Sequence, residues 1–125
     1  MHEKRAHKRV YFTSDTEVIG IFHPVDAPEN SFLGRILNLS LGGLFVSIHE
    51  DTKMTMKPND LLVLNGIRSN DFVNFTTNII LEVRWCHGQG VVSYIGCGCQ
   101  FIEIADAGLQ QVRKLLEWGE LMAAE

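Results

Sequence analysis

Short β-prone runs separated by turn residues recur along most of this chain, and the positions within a run divide between two faces with a period of two. The run Phe32 to Leu39 shows it clearly. Leu33, Arg35, Leu37 and Leu39 take one side, and Phe32, Gly34, Ile36 and Asn38 the other. That period puts successive side chains on opposite faces of a β-strand. Leu44 to Ile48 repeats it, and Gly42-Gly43 breaks the two runs, so a hairpin is predicted. Upstream, Val10-Tyr11-Phe12 and Thr16 to Phe22 predict one strand over 10–22, bent near Ser14-Asp15. Pro24 and Pro28 punctuate the loop after it. Downstream, Leu61 to Leu64 reads as a short strand between a loop at Glu50–Asp60 and a turn at Asn65–Asp71. Phe72 to Cys86 is a long β-prone run in which Leu81, Val83 and Trp85 share a face. His87-Gly88-Gln89-Gly90 reads as a turn, and Val91 to Ile104 as the last strand.

The period then changes. Leu109, Val112, Leu115, Leu116 and Met122 fall near one face of a helix over 107–122, with Asp106 placed to cap it. Short strands followed by one helix predict an all-β fold with a terminal helix: an antiparallel sheet curled into a barrel, the helix covering an open end or flank. No β-α-β alternation is present, so a parallel dinucleotide-binding sheet is not expected.

Composition adds limits. At 125 residues, 46% apolar and 21% charged, the chain reads as one globular domain with a single core. No apolar run approaches the ~20 residues that span a bilayer. The start, Met-His-Glu-Lys-Arg, has no apolar stretch of the kind a signal peptide needs. A cytoplasmic protein without membrane insertion is expected.

Charge is unevenly placed. The net charge of −4 argues against DNA as a partner. Yet Lys4, Arg5, Lys8 and Arg9 supply four of the eleven basic residues within the first nine positions. A small basic patch on an acidic body suits a compact anionic ligand. Charge alone leaves a solvated, disordered arm equally open.

Two short motifs carry candidate chemistry. The first is Arg5-Ala6-His7-Lys8-Arg9, an R-x-x-x-R. Arginine presents a planar fork of donors that pairs bidentately with phosphate or with the O6 and N7 of guanine. Two such forks on an extended arm reach different parts of one ligand. The second is Asn38-Leu39-Ser40-Leu41-Gly42-Gly43, an N-x-S-x-x-G in the hairpin turn. The Asn38 amide offers donors and an acceptor to a base edge, and the Ser40 hydroxyl a donor to phosphate. Gly42 and Gly43 allow positive φ and close backbone approach. The alternative is a plain turn whose polar side chains bond their own backbone.

Taken together, the motifs resemble those of the PilZ domain, the bacterial receptor module for cyclic di-GMP. That family carries R-x-x-x-R before its first strand and [D/N]-x-S-x-x-G between its second and third. Arg5, Arg9, Asn38, Ser40 and Gly43 match every defined position. Arg84-Trp85, Gly98-Cys99-Gln100-Phe101 and the terminal helix look PilZ-like too, so the resemblance covers nearly the whole chain. It implies a six-stranded antiparallel β-barrel over 10–105, a flexible basic arm over 1–9 and a packed helix over 106–125. It implies that the arginines bind guanine and phosphate while Asn38, Ser40 and Gly43 line the opposite wall, with Lys4, Lys8 and Gly42 as neighbouring candidates. Asn38 stands where aspartate is common, which implies one acceptor oxygen toward guanine instead of two. Family members bind one ligand or a stacked pair; Lys4, a cation before the first arginine, is compatible with the pair. The implied partner is a protein effector in motility, exopolysaccharide or attachment machinery.

Other classes fit less well. Cys86, Cys97 and Cys99 are an odd number in a chain without an export signal, and read as reduced thiols. Their spacing departs from structural zinc sites, and in a strand Cys97, Cys99 and Phe101 point together into a core. No G-x-S-x-G, H-E-x-x-H, phosphate-binding loop or paired-carboxylate motif marks an enzyme. His23, His49 and His87 fall in predicted loops or at their edges, and are expected in solvent. The competing reading within the same fold is an interaction adaptor that binds no nucleotide.

Overall fold

The structure, a computed structural model, describes residues 8–49, 56–69, 74–88 and 94–124. Seven strands are present: β1 (Val10–Tyr11), β2 (Val18–Pro24), β3 (Phe32–Leu39), β4 (Gly43–His49), β5 (Leu61–Ser69), β6 (Phe75–Gly88) and β7 (Tyr94–Glu103). One helix, α1 (Asp106–Ala124), follows. Neighbours run β3-β2-β5-β6-β7-β4, and β4 returns to β3, so six antiparallel strands close a barrel. Closure leaves no long unpaired edge. The short β1 lies outside this ring. β2 takes the first half of one β3 edge, from Phe22↔Phe32 to Ile19↔Arg35. β1 takes the rest, pairing Val10↔Leu39 and Tyr11↔Asn38.

The predicted strand over 10–22 is therefore two strands, separated by a 3-10 turn at Ser14–Thr16. The break lets β1 and β2 lie end to end along β3. Inward residues of every strand fill the barrel: Phe22, Ile36, Leu44, Leu64, Ile79 and Leu81 are fully buried. Phe22 stacks on Phe32 with ring centroids 5.6 Å apart.

Bulges shape several of the strands, among them β7, where Ile102 is extra between Phe101 and Glu103. β5 runs on to Ser69, past the predicted turn: opposite β2, Asn65 is an extra residue between Leu64 and Gly66, and opposite β6 it faces two residues, Thr77 and Asn78. The alternation stops there, but the strand does not. The buried Thr77 hydroxyl satisfies the irregularity by donating to the Leu64 carbonyl at 2.6 Å. In β3, Leu37 is extra between Ile36 and Asn38. In β6, Arg84 is extra between Val83 and Trp85. β6 also includes His87 and Gly88, which the sequence places in a turn.

α1 packs against β1 and β6. Its buried face is Gly108, Val112, Leu115 and Gly119, a spacing of four, three and four. Leu109 and Leu116 are only half-buried. The glycines set the distance: a Cβ on Gly119 would lie 2.7 Å from Val10 Cγ1 and 2.8 Å from Phe12 Cε1. Asp106 is not the cap. The Leu109 N–H donates to the Ala105 carbonyl at 2.9 Å, so Asp106 sits inside the first turn. Its charge there faces the positive end of the helix dipole. Among the described residues, no helix is long and apolar enough to cross a membrane.

Candidate ligand-binding site

Pairing of β1 with the end of β3 brings the two sequence motifs together. Arg9, one residue before β1, donates from Nη1 to Asn38 Oδ1 at 2.6 Å, a contact between residues 29 apart in the chain. Asn38 is buried in step with Phe32, Gly34 and Ile36, and Leu39 is buried next to it because the Leu37 bulge shifts the pleat. Beyond the bulge, the Phe12 N–H donates to the Leu37 carbonyl at 2.9 Å, which fixes the chain just after β1. Arg9 Nε is buried and has no hydrogen-bond partner among the described residues. A buried donor left unpaired calls for a specific reason. Here it borders a cavity.

The turn between β3 and β4 is braced from within. The Ser40 N–H donates to the Gly43 carbonyl at 2.9 Å, and the Gly42 N–H donates to Ser40 Oγ at 3.1 Å. The Phe101 N–H, from β7, donates to the Gly42 carbonyl at 2.9 Å. Gly43 is required for contact and not for a positive φ: a Cβ there would run into the Cys99 carbonyl oxygen.

Arg9, Ser40, Gly42 and Gly43 line one side of an open cavity of about 510 Å³. Arg84, Trp85, Gly98 and Gln100 line the other. Asn38 is not on the lining; it stands behind Arg9 and holds it. Lys8 is turned away, with its Nζ 2.8 Å from Glu120 on α1, and that hydrogen bond raises its pKa. Lys4, Arg5 and His7 lie outside the described residues, so half of the R-x-x-x-R motif does too.

The far wall was not legible from alternation. Continued past Val83, the period of two puts Trp85 in the core. The Arg84 bulge turns it out, 49% exposed, stacked on Phe45 at 5.2 Å. Its indole covers Gly98, where a Cβ would strike Nε1. Arg84 donates from Nη1 to Gln100 Oε1 at 2.7 Å and to Glu82 Oε1 at 3.2 Å. Two guanidinium groups, a half-exposed indole and backbone thus surround one space, and among the described residues no carboxylate lines it. Such a set offers charge to phosphate and a flat surface to a base.

The cysteines are free thiols, with Cys97 and Cys99 buried and Cys86 half-buried. Burial pushes the Cys99 thiol up to about 12 and raises Cys97 as well. Among the described residues, no three His, Cys, Asp or Glu side chains gather as a metal site would require. His49 and His87 are exposed, as their sequence context suggests, and His23 is half-buried. His23 Nδ1 lies 2.7 Å from the Pro24 carbonyl oxygen, and His49 packs edge-on to Tyr94.

A family model described as the PilZ domain matches residues 3–118. The chain belongs to the PilZ domain family. Solved PilZ structures share its fold. The PilZ domain of Escherichia coli YcgR with c-di-GMP superposes with a TM-score of 0.67 at 13% identity, covering 97% of this chain and 95% of that one. The K. pneumonia MrkH–c-di-GMP complex gives 0.75 at 19% identity, covering 99% of this chain and 55% of MrkH. The Bacillus subtilis inhibitor of motility, MotI/DgrA, gives 0.65 at 13%, covering 98% and 53%. This PilZ chain thus spans about half the length of MrkH and MotI/DgrA. Among proteins of curated function, none matches.

Proposed function

We propose that this PilZ domain is a receptor for cyclic di-GMP, not an enzyme, and that it works in the cytoplasm. The observation that carries the reading is Arg9. Asn38 holds its guanidinium at the cavity, and its buried Nε still lacks a partner among the described residues. A phosphate or guanine acceptor supplies that partner. Ser40, Gly42 and Gly43 present the turn to the same ligand, and Trp85 offers a stacking face. YcgR and MrkH, structural neighbours, are described as complexes with c-di-GMP.

Arg5 completes the grip in this proposal. Ligand bridges Arg5 and Arg9 to the β3–β4 turn, and the arm ahead of Lys8 becomes ordered over the cavity, Lys8 and Arg9 being already held by Glu120 and Asn38. Part of the binding energy is consumed by that ordering, which is the switch. Lys8 links the arm's base to Glu120, so α1 feels the change. The altered surface then meets a protein effector of motility, exopolysaccharide or attachment machinery. MotI/DgrA, a structural neighbour, is named an inhibitor of motility.

Calorimetric titration with cyclic di-GMP at physiological salt is the test. Saturable binding at micromolar affinity or tighter is expected. Arg9→Ala loses a charged hydrogen-bond donor and weakens binding by about 1.5–3 kcal/mol, roughly 10- to 150-fold. Absence of binding at several temperatures would favour the adaptor reading.

A further inference from the structure

We propose that Cys86 and Cys97 are a modification site: a dithiol that a peroxide closes to a reversible cross-strand disulfide behind the cavity wall. The two residues face each other directly on β6 and β7, and their Sγ atoms are 3.1 Å apart. Facing residues of antiparallel strands have Cα atoms about 4.5–5.5 Å apart, inside the range that a disulfide spans. A modest approach of the two sulfurs therefore makes the bond without moving the strands. Cys99 has no such partner, because Val83 faces it.

Access sets the order of events. Cys86 is half-buried and Cys97 fully buried, so the oxidant meets Cys86 first. The Cys86 thiolate attacks one peroxide oxygen, the O–O bond breaks, and water leaves after taking a proton. Cys86 is then a sulfenic acid. The Cys97 sulfur attacks that sulfur, the S–O bond breaks, and a second water leaves with the Cys97 proton. Two thiols have lost two electrons and two protons, and the peroxide has been reduced to two waters. Burial keeps Cys97 protonated, so closure quickens as pH rises.

The pair sits where it can be felt. Trp85 precedes Cys86 and Gly98 follows Cys97, and the indole rests on that glycine in the cavity wall. The bond ties β6 to β7 directly beneath the indole and its support and so restrains how far that part of the wall can adjust to a ligand. This consequence rests on the cavity being the ligand site; the bond does not.

Mass spectrometry of the reduced full chain treated with hydrogen peroxide tests the bond. Expected are a loss of two hydrogens, a Cys86–Cys97 linked peptide, one thiol of three still alkylated, and reversal by dithiothreitol. Cys99→Ala should behave the same. Cys97→Ala should leave a Cys86 sulfenic acid that dimedone traps, and the half-buried Cys86→Ala should form no internal disulfide. Oxidised Cys86 beside an alkylatable Cys97, a Cys97–Cys99 link, or links only between copies would overturn the proposal. Titrating both forms with cyclic di-GMP separates the two readings. A several-fold change in affinity shows coupling to the cavity, whereas no binding by either form sinks the ligand reading and leaves the disulfide standing.

Discussion

Trp85 shows how one extra residue changes a side chain's job. With Arg84 inserted, the indole leaves the barrel core and lies on Gly98 beside Phe45. An indole at half exposure contributes less to the core than Val83 or Leu81 does, both fully buried. Under the proposed function its value is as a surface for a planar base. Stacking of a base on an aromatic side chain contributes about 1–3 kcal/mol. Trp85→Ala should therefore weaken cyclic di-GMP binding by roughly 5- to 150-fold, read by calorimetry. The urea midpoint should move little. A large loss of stability with unchanged affinity would make Trp85 a packing residue instead.

At the scale of elements, α1 and β1 hold the arm's root. Gly119 lets the helix press on Val10 and Phe12, and Trp118 tilts against Phe12 at 6.3 Å. Valine at 119 must displace those side chains, and overpacking of this kind costs about 1–3 kcal/mol. Removing a helical glycine returns up to about 1 kcal/mol of backbone entropy, which does not cover it. Gly119→Val should lower stability in urea unfolding and disturb the pairing of β1 with β3 that positions Arg9. The arm itself gives a second expectation. Backbone amide relaxation of residues 2–7 should change from mobile to ordered as cyclic di-GMP saturates the protein. Arm amides that stay mobile at saturation would rule out the switch.

For the whole molecule, the buried thiols predict alkaline behaviour. The unfolded chain releases the Cys99 proton at the ordinary 9.0, while the folded chain keeps it until about 12. Between those values the native state binds more protons than the unfolded one, so stability falls as pH rises. It is full below pH 9, and the slope reaches about 1.4 kcal/mol per pH unit for one such thiol. Cys97, also raised, acts with the same sign. Urea midpoints measured across this range should fall less steeply for Cys99→Ala than for the parent.

The sequence by itself determined the class of fold. A period of two across six β-prone segments, then a 3.6-residue period after Asp106, predicts strands followed by a helix. It also determined the chemistry at the turn, because Asn38, Ser40 and the two glycines are adjacent in the chain. Arg9 was legible as a candidate, but its contact with Asn38 spans 29 residues and exists only because β1 shares an edge of β3 with β2. The bulges at Leu37, Asn65 and Arg84 were invisible. A bulge changes which face later residues occupy, and only the pairing partners across the sheet reveal it. For that reason the tertiary structure alone decided that β5 continues past Asn65 and that Trp85 faces the cavity. It alone decided that Cys86 meets Cys97.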